Sequence, residues 1–214
     1  MLEINRRLPV YLLLDTSGSM SGEPIAAVGQ GVKALLADLR SDPQAIETAY
    51  LSVITFDSVA RQLSPLTELM AFQEPKLIAS GATALGSALK LLDEAIDREV
   101  RKNAPDQKGD WKPLIFLMTD GMPTDSWQIA ADAIKKNKPG NLIACAAGSG
   151  ADVDVLKRIT EIVIRLDTLQ PDSLKAFFKW VSDSIKITSQ SIAQIAADTP
   201  INLPPPPPPI QIVP

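Results

Sequence analysis

Short apolar segments alternate with amphipathic ones along almost the whole chain, and this alternation constrains the fold more than any other feature. Strand-like runs occupy 9–15, Thr48 to Asp57, Pro113 to Met118, 141–147 and 162–166. Between them lie segments with a helical period. The segment 23–40 carries Ile25, Val28, Val32, Leu35 and Leu39 on one face, and 84–102 carries Leu85, Leu89, Leu92, Ile96 and Val100. Further helices are predicted over 125–137, 152–160 and 171–195, the last with Leu174, Phe178, Val181, Ile185 and Ile192 as its buried stripe. The run from Pro113 is apolar throughout, as a strand covered on both faces requires. Such alternation predicts a parallel sheet with helices on both sides, an α/β architecture wound in two directions. Val59 to Leu63 follows its predecessor after a turn too brief for a crossover helix, so it is expected to pair antiparallel at an edge.

With 214 residues the chain can bury one substantial core plus an appendage. Eight of its 18 prolines fall between Pro200 and Pro214, six of them consecutively from Pro204. Proline runs form extended helices that lack backbone donors, so we expect a domain over 1–197 and a proline-rich tail over 198–214 outside the sheet. The tail reads as a stiff spacer or as a ligand for an aromatic-lined groove. A net charge of −4 argues against nucleic acid or an anionic membrane as the main partner. The basic clusters Lys135-Lys136-Asn137-Lys138 and Arg98 to Lys102 sit at expected helix ends, where cations favour the dipole. Histidine is absent, which removes imidazole zinc sites and imidazole-based triads. The lone Cys145 lies in an apolar strand and is expected to be a small core side chain. The apolar residues before Asp15 are too few for a secretory or membrane segment, so a cytoplasmic location is expected.

Chemistry is concentrated where strands end. Asp15-Thr16-Ser17-Gly18-Ser19 leaves the apolar run Val10-Tyr11-Leu12-Leu13-Leu14, placing one carboxylate and two hydroxyls at alternate positions. Gly81-Ala82-Thr83 offers a third hydroxyl, and Thr119-Asp120-Gly121 a second carboxylate after another strand. In open α/β sheets ligands lie beyond the carboxyl ends of the strands, where strand order reverses. Oxygen groups converging there suit a hard dication. If Ser17, Ser19 and Thr83 bind directly while Asp15 and Asp120 act through water, the ion keeps little neutralising charge and stays open to an outside carboxylate. Each piece also has a plainer role: Ser19 or Ser21 as a cap for the helix at Glu23-Pro24, Thr83 as another cap, Asp120-Gly121 as a turn. Their joint order along one sheet edge favours convergence. Asp57 and Asp125 lie near strand ends, where they either shape the rim of the site or serve as turn and cap residues.

With those motifs in place, the chain resembles a von Willebrand factor A domain, whose metal-ion-dependent adhesion site falls on Asp15, Ser17, Ser19, Thr83 and Asp120. The stretches Arg6 to Met20, Gly22-Glu23-Pro24-Ile25 and Met118 to Asp125 are similar to the TerY-type subgroup, associated with bacterial tellurium resistance and stress response. The resemblance implies a doubly wound three-layer α/β/α fold with six strands in the order 3-2-1-4-5-6, mostly parallel with one antiparallel edge strand. It implies magnesium (or manganese) at the site and a non-enzymatic adaptor that binds an acidic side chain of a protein partner. Relatives of the subgroup occur with a protein kinase and a PP2C-type phosphatase. A carboxyl-terminal metal-binding ribbon found in some relatives cannot form here, with one cysteine and no histidine.

An enzyme remains the main rival, a magnesium-dependent phosphohydrolase of haloacid-dehalogenase type with Asp15 as nucleophile. That chemistry needs a second carboxylate two residues on, and Ser17 stands there. A dinucleotide fold is disfavoured because no Gly-x-Gly-x-x-Gly follows the first strand. A metal that is only structural is the remaining alternative.

Overall fold

The computed structural model describes residues 6–194 and 203–213. Its strands are β1 (Leu8–Asp15), β2 (Ala49–Phe56), β3 (Ala60–Glu68), β4 (Leu114–Thr119), β5 (Asn141–Ala147), β6 (Ile162–Leu166) and β7 (Ile210–Ile212). The helices are α1 (Glu23–Leu39), α2 (Pro43–Thr48), α3 (Leu85–Glu99), α4 (Gln128–Asn137), α5 (Val153–Ile159) and α6 (Pro171–Gln194), with a short 3-10 turn at Gly18–Met20. One sheet runs in the order β3-β2-β1-β4-β5-β6-β7. The strands β2, β1, β4, β5 and β6 are parallel, and β3 and β7 close the two edges antiparallel.

Side-chain alternation along β1 divides the core. Leu8, Val10, Leu12 and Leu14 pack with α1, α2 and α6 on one face. Tyr11 and Leu13 pack with α3, α4 and α5 on the other. Both faces are therefore covered, which is why the central strands carry no polar alternation. Burial also makes Cys145 inert, since desolvation pushes its thiol pKa well up. In α6, Leu174, Phe178, Val181 and Ile185 are buried as expected; the side chain of Ile192 lies outside the described residues.

Two additions to the expected elements have simple causes. Helix α2 was not anticipated, although Asp42-Pro43 is a start signal: the Asp42 carboxylate accepts from Ala45 N at 2.8 Å and Pro43 takes the first turn. The second addition corrects the expected six strands to seven. The expected boundary at 197 lies outside the described residues, but the tail beyond it does reach the sheet. Trp180 Nε1 donates to Pro204 O at 2.9 Å, and the proline run carries the chain to the open edge of β6. There Ile210–Ile212 pairs with Leu166 to Ile164, and Ile210 is buried in the α6-side core. Prolines cannot join a ladder, but the three residues after them can.

Candidate metal site

Strand order reverses between β1 and β4, the point where an open sheet leaves a crevice at its carboxyl edge. Register puts Leu14 beside Met118, so Asp15 and Thr119 end neighbouring strands side by side. Three loops meet above them and are braced by backbone hydrogen bonds. Thr16 N donates to Phe56 O at 2.9 Å, Ser80 N to Thr16 O at 2.8 Å, and Gly18 N to Gly81 O at 3.0 Å. Gly81 has φ +71, and a Cβ there would meet Ser58 Oγ at 2.3 Å, so only glycine lets this loop lie so close. The third loop is fastened to the second: Thr124 N donates to Thr83 O at 2.9 Å and Thr83 N to Thr124 Oγ1 at 3.0 Å.

Polar side chains converge within this frame. Ser19 Oγ donates to Asp120 Oδ1 at 2.9 Å and lies 3.1 Å from Ser17 Oγ. Asp15 is fully buried; Ser17 N donates to its Oδ1 at 2.8 Å and Thr119 Oγ1 to its Oδ2 at 2.5 Å. A Cβ on Gly121 would stand 3.6 Å from Thr83 Oγ1, which places that hydroxyl beside the Asp120 loop. All of Asp15, Ser17, Ser19, Thr83 and Asp120 are thus gathered at one edge. The capping roles are not taken up: Gly22 and Ala84 are the N-caps of α1 and α3, and neither helix start receives a side-chain bond from Ser19, Ser21 or Thr83, whereas Asp120-Gly121 does form the bend that leaves β4.

Desolvation raises the pKa of Asp15, and Asp120 is raised likewise by burial and by repulsion from Asp15. Among the described residues no lysine or arginine forms an ion pair with either carboxylate. Two acids held close without a counter-charge are an electrostatic setting that a dication would relieve. The donor set contains only hard oxygens, suited to magnesium or manganese rather than to thiolate- or imidazole-seeking ions. Among the described residues no cluster of three or more His, Cys, Asp or Glu side chains could hold a metal. A metal site here would therefore have to draw on hydroxyls as well as on the two carboxylates.

Asp57 and Asp125 prove to be turn and cap residues. Asp57 Oδ1 accepts from Val59 N at 3.0 Å and its Oδ2 pairs with Arg61 Nη1 at 2.7 Å, closing the β2–β3 turn. Asp125 accepts from Gly86 N and Ser87 N, both at 2.9 Å, and so caps α3 from a distant loop. That is why α4 starts at Gln128 and not at 125. Sequence reading missed Thr119 and Thr124. Thr119 could have been found as the residue before Asp120 at a strand end, but its bond to Asp15 exists only because β1 and β4 are neighbours.

Residues 10–184 match the family model described as the von Willebrand factor type A domain. Uncharacterized protein sll0103 of Synechocystis sp. is 34% identical over 125 residues, covering 55% of this chain and 26% of the relative. Inter-alpha-trypsin inhibitor heavy chain H2 of Mesocricetus auratus is 28% identical over 170 residues, covering 71% of this chain and 16% of the relative. The chain thus aligns with about a quarter or less of the length of these two relatives. Among solved structures, mussel byssus proximal thread matrix protein 1 with a zinc-occupied MIDAS motif superimposes with a TM-score of 0.61 at 20% identity. That match covers 85% of this chain and 48% of the mussel protein.

Proposed function

Because this chain belongs to the von Willebrand factor type A domain family, we propose that it is a metal-dependent protein-binding module in which Asp15, Ser17, Ser19, Thr83 and Asp120 hold a magnesium or manganese ion. The carrying observation is the chain of contacts from Ser17 Oγ through Ser19 Oγ to Asp120 Oδ1 beside the buried Asp15. Neutral hydroxyls leave the cation electrophilic, and the bound ion supplies an electrostatic bond to a carboxylate of a partner protein. Asp15 orients Ser17 through its backbone N–H, while Asp120 orients Ser19.

The module is read as non-enzymatic. Both oxygens of Asp15 are engaged and the side chain is fully buried, so it is poorly placed to attack a phosphoryl group. The carboxylate that haloacid-dehalogenase chemistry needs is replaced by Ser17. Within the family, the motifs around Asp15 and Asp120 support a bacterial adaptor of the TerY type, acting in a cytoplasmic tellurium-resistance or stress-response phosphorylation system with a protein kinase and a PP2C-type phosphatase. The zinc-bound mussel structure supports metal occupancy at this family's site. Among the described residues no helix is long and apolar enough to cross a membrane. The test is capture of purified kinase and phosphatase from such a system on immobilised protein. Retention in magnesium, with release by EDTA, is expected; retention unchanged by EDTA overturns the metal-dependent reading.

Proton linkage gives a second test. The Asp15 and Asp120 pKa values are raised from 3.8, so without metal their contribution to stability is full below that value. It is lost as pH rises through the raised values, because the folded state then holds buried negative charge. A dication binds only the ionised acids and offsets that loss. Magnesium should therefore raise the melting temperature more at about pH 7.5 than at about pH 4.5. Thermal melts with and without magnesium at the two pH values check this, and an equal shift at both sinks it.

A further inference from the structure

A groove of about 530 Å³ opens between α3 and α4 and begins where the metal-site loops end. Its origin is local packing. A Cβ on Gly86 would meet Trp127 Cα at 2.7 Å, so the start of α4 is pressed against the first turn of α3. Asp125 fastens the same corner through Gly86 N, Ser87 N and Ser87 Oγ. Lower down, the small side chains Ala130 and Ala133 leave a gap above Leu89 and Ile134, which form an apolar floor. Ile129 stands on the lip and is 82% exposed. Its volume lies within the range of roughly 300–1,000 Å³ typical of ligand pockets.

Two features specify an occupant. The lining carries the carboxylates of Asp93, Glu94 and Asp125 against one ammonium, Lys90, which is 3.9 Å from Glu94. An apolar cleft with an acidic rim matches an apolar anchor accompanied by a basic residue. The groove also begins beside the ion-binding edge: Gly86 and Asp125 at its upper end are hydrogen-bonded to each other and lie three and one positions from Thr83 and Thr124, which are themselves paired. We propose that the partner segment whose carboxylate closes the metal site continues into this groove, seating an apolar side chain against Ile129, Ala130 and Ala133 and a lysine or arginine against Asp93 and Glu94. The occupant is therefore a peptide segment of a protein, with one acid followed by an apolar and a basic residue. This rests on the metal-dependent reading above. It adds what selects one acidic partner over another, since every surface carboxylate offers the ion the same bond.

The experiment is selection of a displayed peptide library, with one fixed glutamate and randomised flanks, on the immobilised full chain in magnesium. The expected result is enrichment of peptides with an apolar and a basic residue on one side of the glutamate, released by EDTA. Their affinity should fall about tenfold or more in Ile129→Asp and in Ala133→Glu. Magnesium affinity measured by titration calorimetry should be unchanged in both variants. Ile129 is so exposed that its replacement leaves the core intact, and a urea unfolding curve verifies that for each variant. Magnesium-dependent peptides that bind the two variants as well as the parent overturn the groove proposal while sparing the metal site. Peptides that need the groove but ignore EDTA overturn the metal-dependent reading and the joint occupancy together. A dimer in sedimentation that is lost in Ile129→Asp assigns the groove to a second copy and overturns the proposal.

Discussion

Ser17→Ala is expected to lower magnesium affinity at least about 10–100-fold, the scale set by loss of even an outer-shell partner in metal proteins, while leaving the fold nearly unchanged. The Ser17 hydroxyl lies 3.1 Å from Ser19 Oγ and also interacts with the Asp15 carboxylate. Its loss should cost about 1–3 kcal/mol, the scale of one hydrogen bond to a charged group. Asp15→Ala should remove metal binding as completely, but its effect on stability is a balance. It strands Thr119 Oγ1 and Ser17 N, two donors that now point at the carboxylate. It also removes a buried charge whose ionised form the fold disfavours. Ser17→Ala is thus the cleaner probe, and Asp15→Ala the confirmation. Titration calorimetry with magnesium and with manganese measures the first effect, and urea unfolding the second. Unchanged affinity in both variants would falsify the assignment of these residues as the ion's holders.

A matched pair in α1 should give the largest contrast in stability. Gly29 and Gly31 share a helix, and the intrinsic preference for alanine over glycine favours both replacements by about 1 kcal/mol. Packing separates them. A Cβ at Gly29 meets nothing within 4 Å, so Gly29→Ala should stabilise by close to that amount. A Cβ at Gly31 falls 2.1 Å from Phe178 Cδ2 and 2.7 Å from Cγ. That ring is 1% exposed and stacked edge-on to Phe177 at 5.2 Å, so it cannot swing aside. Overpacking of this kind costs about 1–3 kcal/mol or more, which outweighs the helix preference. Gly31→Ala should therefore lower the melting temperature by several degrees, at about 2–4 °C per kcal/mol for a chain of this size. Phe178→Leu in the same background should recover part of the loss. If Gly31→Ala is neutral, α1 and α6 are not as close as described.

Most of the fold was legible because its signals are local. The central strands are short, mostly apolar runs, β2 carrying only Ser52 and Thr55 as polar residues, and the longer helices show their stripes at fixed spacing; neither signal depends on knowing the neighbours. The Asp42-Pro43 start of α2 was equally local and was passed over because six residues carry too little periodicity to stand out. The ends of helices were less legible. α3 stops at Glu99 because Arg101 N turns to the Asp110 carboxylate at 2.8 Å, a contact with a residue nine positions on. The antiparallel edge strand β7 was hidden by its own composition. Its few residues follow a proline run that by itself forbids pairing, and only the open edge of β6 and the seat for Ile210 make the pairing favourable.

For the site, the residue types and their strand-end placement came from the sequence, since a motif such as Asp15-Thr16-Ser17-Gly18-Ser19 carries its chemistry within a few residues. Their convergence could not, because Ser19 and Asp120 are 101 positions apart and Thr119 and Asp15 are 104 apart. Contacts over such separations exist only once β1 lies beside β4, so strand order, not the motif, decides which oxygens meet. The same holds for Asp57 and Asp125, where sequence offered two roles and packing selected one. Local pattern set the list of donors and the elements that carry them. Tertiary structure chose the partners, because hydrogen bonds and ion sites act over a few ångströms and the chain alone does not say which distant residues will be that near.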